Sequence, residues 1–154
     1  MAKLHDGVVA YRASGTVRLL ALFMALLAES VGQAGRTAEA LEWLDKARTI
    51  VIESGERVFE AELHRLRAEL LAPHDASQAE AQRLFQEALA VARGQESKSI
   101  ELRAAMGLAR LWQQQGKRRE AYDLLAPIYH GFTEGLATPP LQACKALLGQ
   151  LNRH

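Results

Sequence analysis

Along most of the chain apolar side chains return every three to four residues, the spacing of one buried face of an α-helix. Phe59, Leu63, Leu66 and Leu70 form one such series, and Leu102, Ala105, Leu108 and Leu111 form another. Between them run Ala40, Leu44, Ala47 and Val51, and then Ala81, Phe85, Ala88 and Ala92. No β-branched alternation or Asn-Gly hairpin signal competes, so the pattern predicts an all-α chain. The most apolar stretch, VRLLALFMALLAESVG, holds about 10 residues between Arg18 and Glu29. A bilayer needs roughly 20, so it reads as a buried helix of a soluble protein.

The helices repeat. GRTAEALEWLDKA from Gly35 aligns with GKRREAYDLLAPI from Gly116, and ASQAEAQRLFQEA lies between them. Their marker alanines, Ala40, Ala81 and Ala121, are spaced by 41 and 40 residues. A second set, Ala28, Ala68 and Ala109, is spaced by 40 and 41, and Gly15 and Gly55 by 40. Two marker sets with one period point to stacked helix pairs, each unit burying its face on the next. Gly35 and Gly116 stand where a first helix must stop and reverse, a position that favours positive φ. The middle unit uses APHDASQ there, with Pro73 as breaker and Asp75 or Ser77 as the cap of the next helix.

The boundaries expected are residues 1–14 as the end of an incomplete repeat, then repeats at 15–54, 55–95 and 96–136, and a capping helix at 137–154. In that last segment Thr138 is the N-cap and Pro139 or Pro140 lies in the first turn. Leu141, Cys144, Leu147, Leu148 and Leu151 form its apolar face. DGVVAYRAS, residues 6–14, aligns with the close of a second helix whose partner is missing. The C-terminus reads as a natural end, and the N-terminus as cut from something longer or covered by a partner.

Gly-x-x-x-Glu-Ala with a further Ala seven residues on resembles the tetratricopeptide repeat. Ala40 and Ala47 carry the pair, as do Ala81 and Ala88; the middle unit lacks the Gly, and the third has Ile128 in the second place. The tetratricopeptide unit is 34 residues long, against about 40 here. EAELHRL at 60–66, IELRAA at 100–105 and FTEG at 132–135 are similar to strings in the C-terminal repeat tails of large bacterial signalling proteins. Those proteins carry a class III nucleotide cyclase domain or a transcription-factor-like module, then an NTPase domain, then helical repeats. The resemblance implies a tetratricopeptide-like helical-hairpin superhelix, an α-solenoid of about three repeats plus a capping helix. It implies a sensing or protein-binding tail and names no ligand. No cyclase or NTPase motif is present, so neither activity carries over.

Composition narrows the function. The 154 residues are 49% hydrophobic and 24% charged, and 19 Lys and Arg against 18 Asp and Glu leave a formal net charge of +1. That is globular composition without the cationic excess of a nucleic-acid binder. No signal peptide or spanning segment is legible, so the expected setting is the cytoplasm, with no membrane and no nucleic-acid partner. Cys144 is the only cysteine, which excludes an intrachain disulfide and points to buried filler.

Candidate chemistry is sparse. QQQGKRREAY places Gly116-Lys117 beside Arg118 and Arg119, but Arg118 follows the Lys and Leu111 stands where a P-loop needs its first Gly. The three cations read as the solvated start of a helix. His5, His64, His74, His130 and His154 include no His-x-x-x-His pair, and no Gly-x-Ser-x-Gly elbow exists. The expectation is no enzyme, no cofactor and no metal.

What remains is the inner surface that the resemblance assigns to the first helix of each pair. With Ala28, Ala68 and Ala109 as markers, the exposed inner positions are Glu29 and Gln33; Glu62, Arg65 and Glu69; and Arg103, Met106, Arg110, Gln113 and Gln114. Arg65 and Arg103 suit a carboxylate or phosphate of a protein or peptide partner. Glu62, Arg65 and Glu69 are also spaced to pair with one another on one helix. Three functions stay open: a protein-interaction or regulatory groove, a small-molecule sensing tail, and self-association through an uncapped N-terminal face.

Overall fold

A computed structural model describes residues 17–54 and 59–152. Gly15, Gly55, His5, His154 and the aligned segment 6–14 lie outside the described residues. Within them the protein is all-helical, with no strand. The helices are α1 (Val17–Gln33), α2 (Thr37–Ser54), α3 (Glu60–Leu71), α4 (Gln78–Gly94), α5 (Lys98–Gln114), α6 (Arg118–His130) and α7 (Pro139–Leu151).

Each helix packs on the one before it, and the odd helices also touch in a row, α1 to α3, α3 to α5 and α5 to α7. No comparable contact joins α2 to α4 or α4 to α6. The cause lies in the small residues. Ala28, Ala68 and Ala109 of the odd helices and Ala40, Ala81 and Ala121 of the even ones are all 0% exposed. A methyl at each crossing lets two helix backbones approach, and the larger neighbours Leu44, Phe85 and Leu125 fill the space beside it. Two apolar clusters result. One joins α1, α2 and the first half of α3; the other joins Ala68 of α3 to α4, α5, α6 and α7.

The turns follow the expected chemistry at two places and depart from it at two others. Gly35 and Gly116 have φ of 87° and 80°. After each, the next amide reaches back five residues, Arg36 N to Val31 O at 3.1 Å and Lys117 N to Trp112 O at 2.7 Å. That bond closes a Schellman turn and satisfies a terminal carbonyl. The same closure ends α4, where Ser97 N reaches Ala92 O at 2.8 Å, but the left-handed residue there is Glu96 with φ of 56°.

Pro73 lies beyond the end of α3, and a 3-10 turn, Asp75–Ser77, leads into α4. Ser77 is the N-cap by position, yet no side chain caps α4, so the expected Asp75 or Ser77 cap bond is not formed. Thr138 is the N-cap of α7, with prolines at the first positions. Its hydroxyl turns back to donate to Gly135 O at 2.6 Å instead of to its own helix. The apolar face expected of α7 is buried as a unit, with Cys144 at 0% exposure, and packs on α6 and α5.

Candidate functional site

The odd helices place equivalent positions side by side, and the charges at those positions differ from helix to helix. Shifting α3 by the repeat period sets Glu62, Arg65 and Glu69 beside Arg103, Met106 and Arg110 of α5. A Glu-Arg-Glu strip on α3 thus stands next to an Arg-Met-Arg strip on α5. Glu62 links them, pairing with Arg65 on its own helix and lying 3.5 Å from Arg103 across the gap.

Arg65 corrects the expectation that the named inner positions are all exposed. It is only 7% exposed, with Nη1 donating to Glu69 Oε2 at 2.7 Å and Nε to Glu62. The period explains the burial, because the matching residues Ala25 and Met106 are buried too, at 4% and 5%. The Arg stem fills the slot that Met106 fills in α5, and the two carboxylates receive its head. Burial by itself would lower the Arg65 pKa; the charges and hydrogen bonds of Glu69 and Glu62 outweigh it and hold it above the ordinary value. Arg65 is therefore a satisfied internal ion triad, the alternative its spacing allowed, and Met106 is core.

Glu62, expected to be exposed, is only 15% exposed, and the other positions stay at the surface in four places. Glu29, Gln33 and Glu69 meet where α1 crosses α3, around a notch of about 180 Å³ floored by Leu66 and Leu70. Arg103 is half-exposed between α3 and α5. Arg110 and Gln113 face α7, where Gln113 Nε2 donates to Gln150 Oε1 at 3.4 Å and the Arg110 charge bears on Cys144. Gln114 is exposed at the last residue of α5.

Sequence reasoning missed a cleft of about 320 Å³ that lies between α2 and α4 over α3. Leu44, Val51, Leu63 and Leu84 form its floor. Four carboxylates, Asp45, Glu60, Glu80 and Glu87, share its walls with Arg48, Arg67, Arg83 and His64. Most are paired: Arg67 with Asp45, Arg83 with Glu80 and Glu87, and the His64 ring 3.7 Å from Glu60 and 3.8 Å from Glu87. The Glu80-Arg83-Glu87 spacing was legible in the sequence. The cleft was not, since it exists because α2 and α4 stand apart across α3.

Lys117, Arg118 and Arg119 occupy the exposed start of α6, as the turn reading expects. Cys144 is fully buried, and that burial pushes its thiol up to about 11, the opposite of an activated nucleophile. No group of His, Cys, Asp and Glu among the described residues is arranged to hold a metal ion. No described helix is long and apolar enough to cross a membrane. Comparison of the chain with protein-family models, with curated proteins and with solved structures finds no match.

Proposed function

We propose that the chain is a non-enzymatic protein-interaction and regulatory module, a tetratricopeptide-like α-solenoid in which α7 caps three helix pairs. Its partner, a protein or peptide segment, lies across the row of odd helices. The supporting observation is the alternation along that row, from Glu29 and Gln33 through the α3 carboxylates to the half-exposed Arg103 and the exposed Arg110. Such a surface orients an extended segment by its charges at several points while contributing little to folding. The resemblance of three short strings to bacterial signalling tails adds the setting, a cytoplasmic bacterial protein that docks or regulates other domains.

The test is a pull-down comparing wild type with Arg103→Glu plus Arg110→Glu. Arg65 is unsuitable because reversing a buried charge perturbs the fold. Loss of specific partners at an unchanged melting temperature supports the groove, and survival of every specific partner refutes it.

The cleft between α2 and α4 favours a second reading, a small-molecule sensing tail of a nucleotide cyclase or NTPase signalling protein. Its volume is at the low end of ligand sites, roughly 300–1,000 Å³. Its walls suit a ligand with both charges rather than an apolar one. A ligand that raises the melting temperature of wild type but not of Arg48→Ala plus Arg83→Ala would establish this reading in place of the first.

A further inference from the structure

The cleft between α2 and α4 divides its charges unevenly between its two walls. On the α2 side Asp45 is spent, because Arg67 from the α3 floor donates to it. Arg48, one turn on, lines the same cleft and has no ion pair among the described residues. On the α4 side two carboxylates, Glu80 and Glu87, share the single guanidinium of Arg83. Arg67 reaches Glu80 only by its more distant charge, since its hydrogen bond goes to Asp45. The α2 wall thus holds one unspent positive charge, and the α4 wall one unspent negative charge.

The two surpluses face each other. α2 and α3 run antiparallel with Asp45 paired to Arg67. Three residues on from Asp45 and three back from Arg67 set Arg48 level with His64. The His64 ring lies 3.8 Å from Glu87. Arg48 and Glu87 therefore flank one floor position from opposite walls. Beside it the floor is apolar, with Leu63 and Leu84 buried at 6% and 4%, and Ile52 at the α2 rim is 60% exposed. An apolar body lying on that floor covers Ile52 as well, and burying that surface favours binding.

We propose that the cleft takes a small zwitterion with an apolar body, an amino acid or dipeptide of the leucine type, its carboxylate on Arg48 and its ammonium on Glu87. The proposal rests on the sensing reading of this cleft. Size sets its upper limit: from Asp45 to Ile52 the wall rises roughly 10 Å at 1.5 Å per residue, room for no more than about three extended residues. Charge sets its class. A nucleotide would bring its phosphates to one unspent cation among four carboxylates. A fatty acid or an apolar amine would answer only one wall. A zwitterion answers both, and each contact is a charge-assisted hydrogen bond.

The experiment is calorimetric titration of the full chain with leucine, leucyl-leucine, N-acetyl-leucyl-leucine and leucyl-leucine amide. Each blocked form lacks one of the two charges. The expected result is binding by an unblocked probe, with leucine against leucyl-leucine telling the amino acid from the peptide. Each blocked form should bind about tenfold more weakly or worse, the loss of one hydrogen bond to a charged group. Arg48→Gln should weaken the unblocked probe by a similar factor and leave the amide unchanged. Arg48 is exposed, so the substitution leaves the fold standing, and an unchanged melting temperature checks this. Blocked forms that bind as tightly as the free ones, or an Arg48→Gln that binds like wild type, would overturn the zwitterion while keeping a small-molecule site in the cleft. Silence from all four probes at millimolar concentration overturns it too, and the sensing reading then stands or falls on the Arg48→Ala plus Arg83→Ala comparison.

Discussion

Gly107 of α5 lies so close to Phe85 of α4 that a methyl group at residue 107 would stand 2.3 Å from the Phe85 ring. Phe85 is 1% exposed and has nowhere to retreat. Gly107→Ala gains about 1 kcal/mol of helix propensity and meets an overpacking cost of about 1–3 kcal/mol. The clash wins, so the variant unfolds at lower urea than wild type. Phe85→Leu in the same chain, by removing the ring atoms, recovers much of the loss relative to Phe85→Leu alone. Equilibrium urea denaturation of the four proteins measures it, and a Gly107→Ala as stable as wild type would show that the helices separate freely.

Glu96 carries a left-handed backbone that its side chain disfavours, in a turn built like those of Gly35 and Gly116. Glu96→Gly therefore stabilises the protein by about 1 kcal/mol, since a β-carbon in this region costs roughly 1–2 kcal/mol and glycine loses part of that to chain entropy. Gly116→Ala is the mirror experiment and destabilises by a similar amount. Nothing lies within 4 Å of a β-carbon at residue 116, so the effect is purely one of backbone conformation. Thermal denaturation of both variants gives shifts of opposite sign.

The alanine markers and the two glycine turns were legible because the period itself reports burial: a residue that returns every 40 or 41 positions as Ala does so where two helices cross. The Glu96 turn was hidden because no glycine announces it. Arg65 was misplaced for a related reason. An offset from the Ala68 marker gives its place on the helix but not its depth, and depth depends on the slot between α1 and α5. The buried Ala25 and Met106 one period away were the available signal. The cleft between α2 and α4 had none, since it depends on which helices fail to touch.

Cys144 supplies a pH test. Its folded-state pKa is raised from 9.0 to about 11 by burial, so the neutral thiol is favoured in the native state. The contribution to stability is fully present below pH 9 and is lost as pH rises from about 9 through about 11, where the unfolded chain ionises and the folded one does not. The difference in stability between wild type and Cys144→Ala should shrink across that window and stay flat below it. Native protein at pH 8 should also leave a thiol reagent unreacted until denaturant is added. Rapid labelling without denaturant would contradict the burial.

Arg65 and Met106 occupy equivalent slots with opposite surroundings, which makes their exchange informative. Arg65→Met removes a buried charge and keeps the stem volume. Glu62 retains Arg103 at 3.5 Å, and the Glu69 side chain is 37% exposed and can be solvated. Removing one partner of a buried ion pair costs about 3–5 kcal/mol where nothing else meets the charge left behind; Arg103 and solvent meet part of it here, so the expected loss is about 1–2 kcal/mol. Met106→Arg is another matter. The new guanidinium would be buried with Arg103 three residues before it and Arg110 four residues after, where Arg65 has two carboxylates. An unpaired buried charge among like charges costs several kcal/mol, about 3–5 by the measure of broken buried pairs. Chemical denaturation of the two variants should separate them widely. Equal losses would mean that Arg65 is held by its stem alone and that Glu62 and Glu69 do nothing to keep its charge in the core.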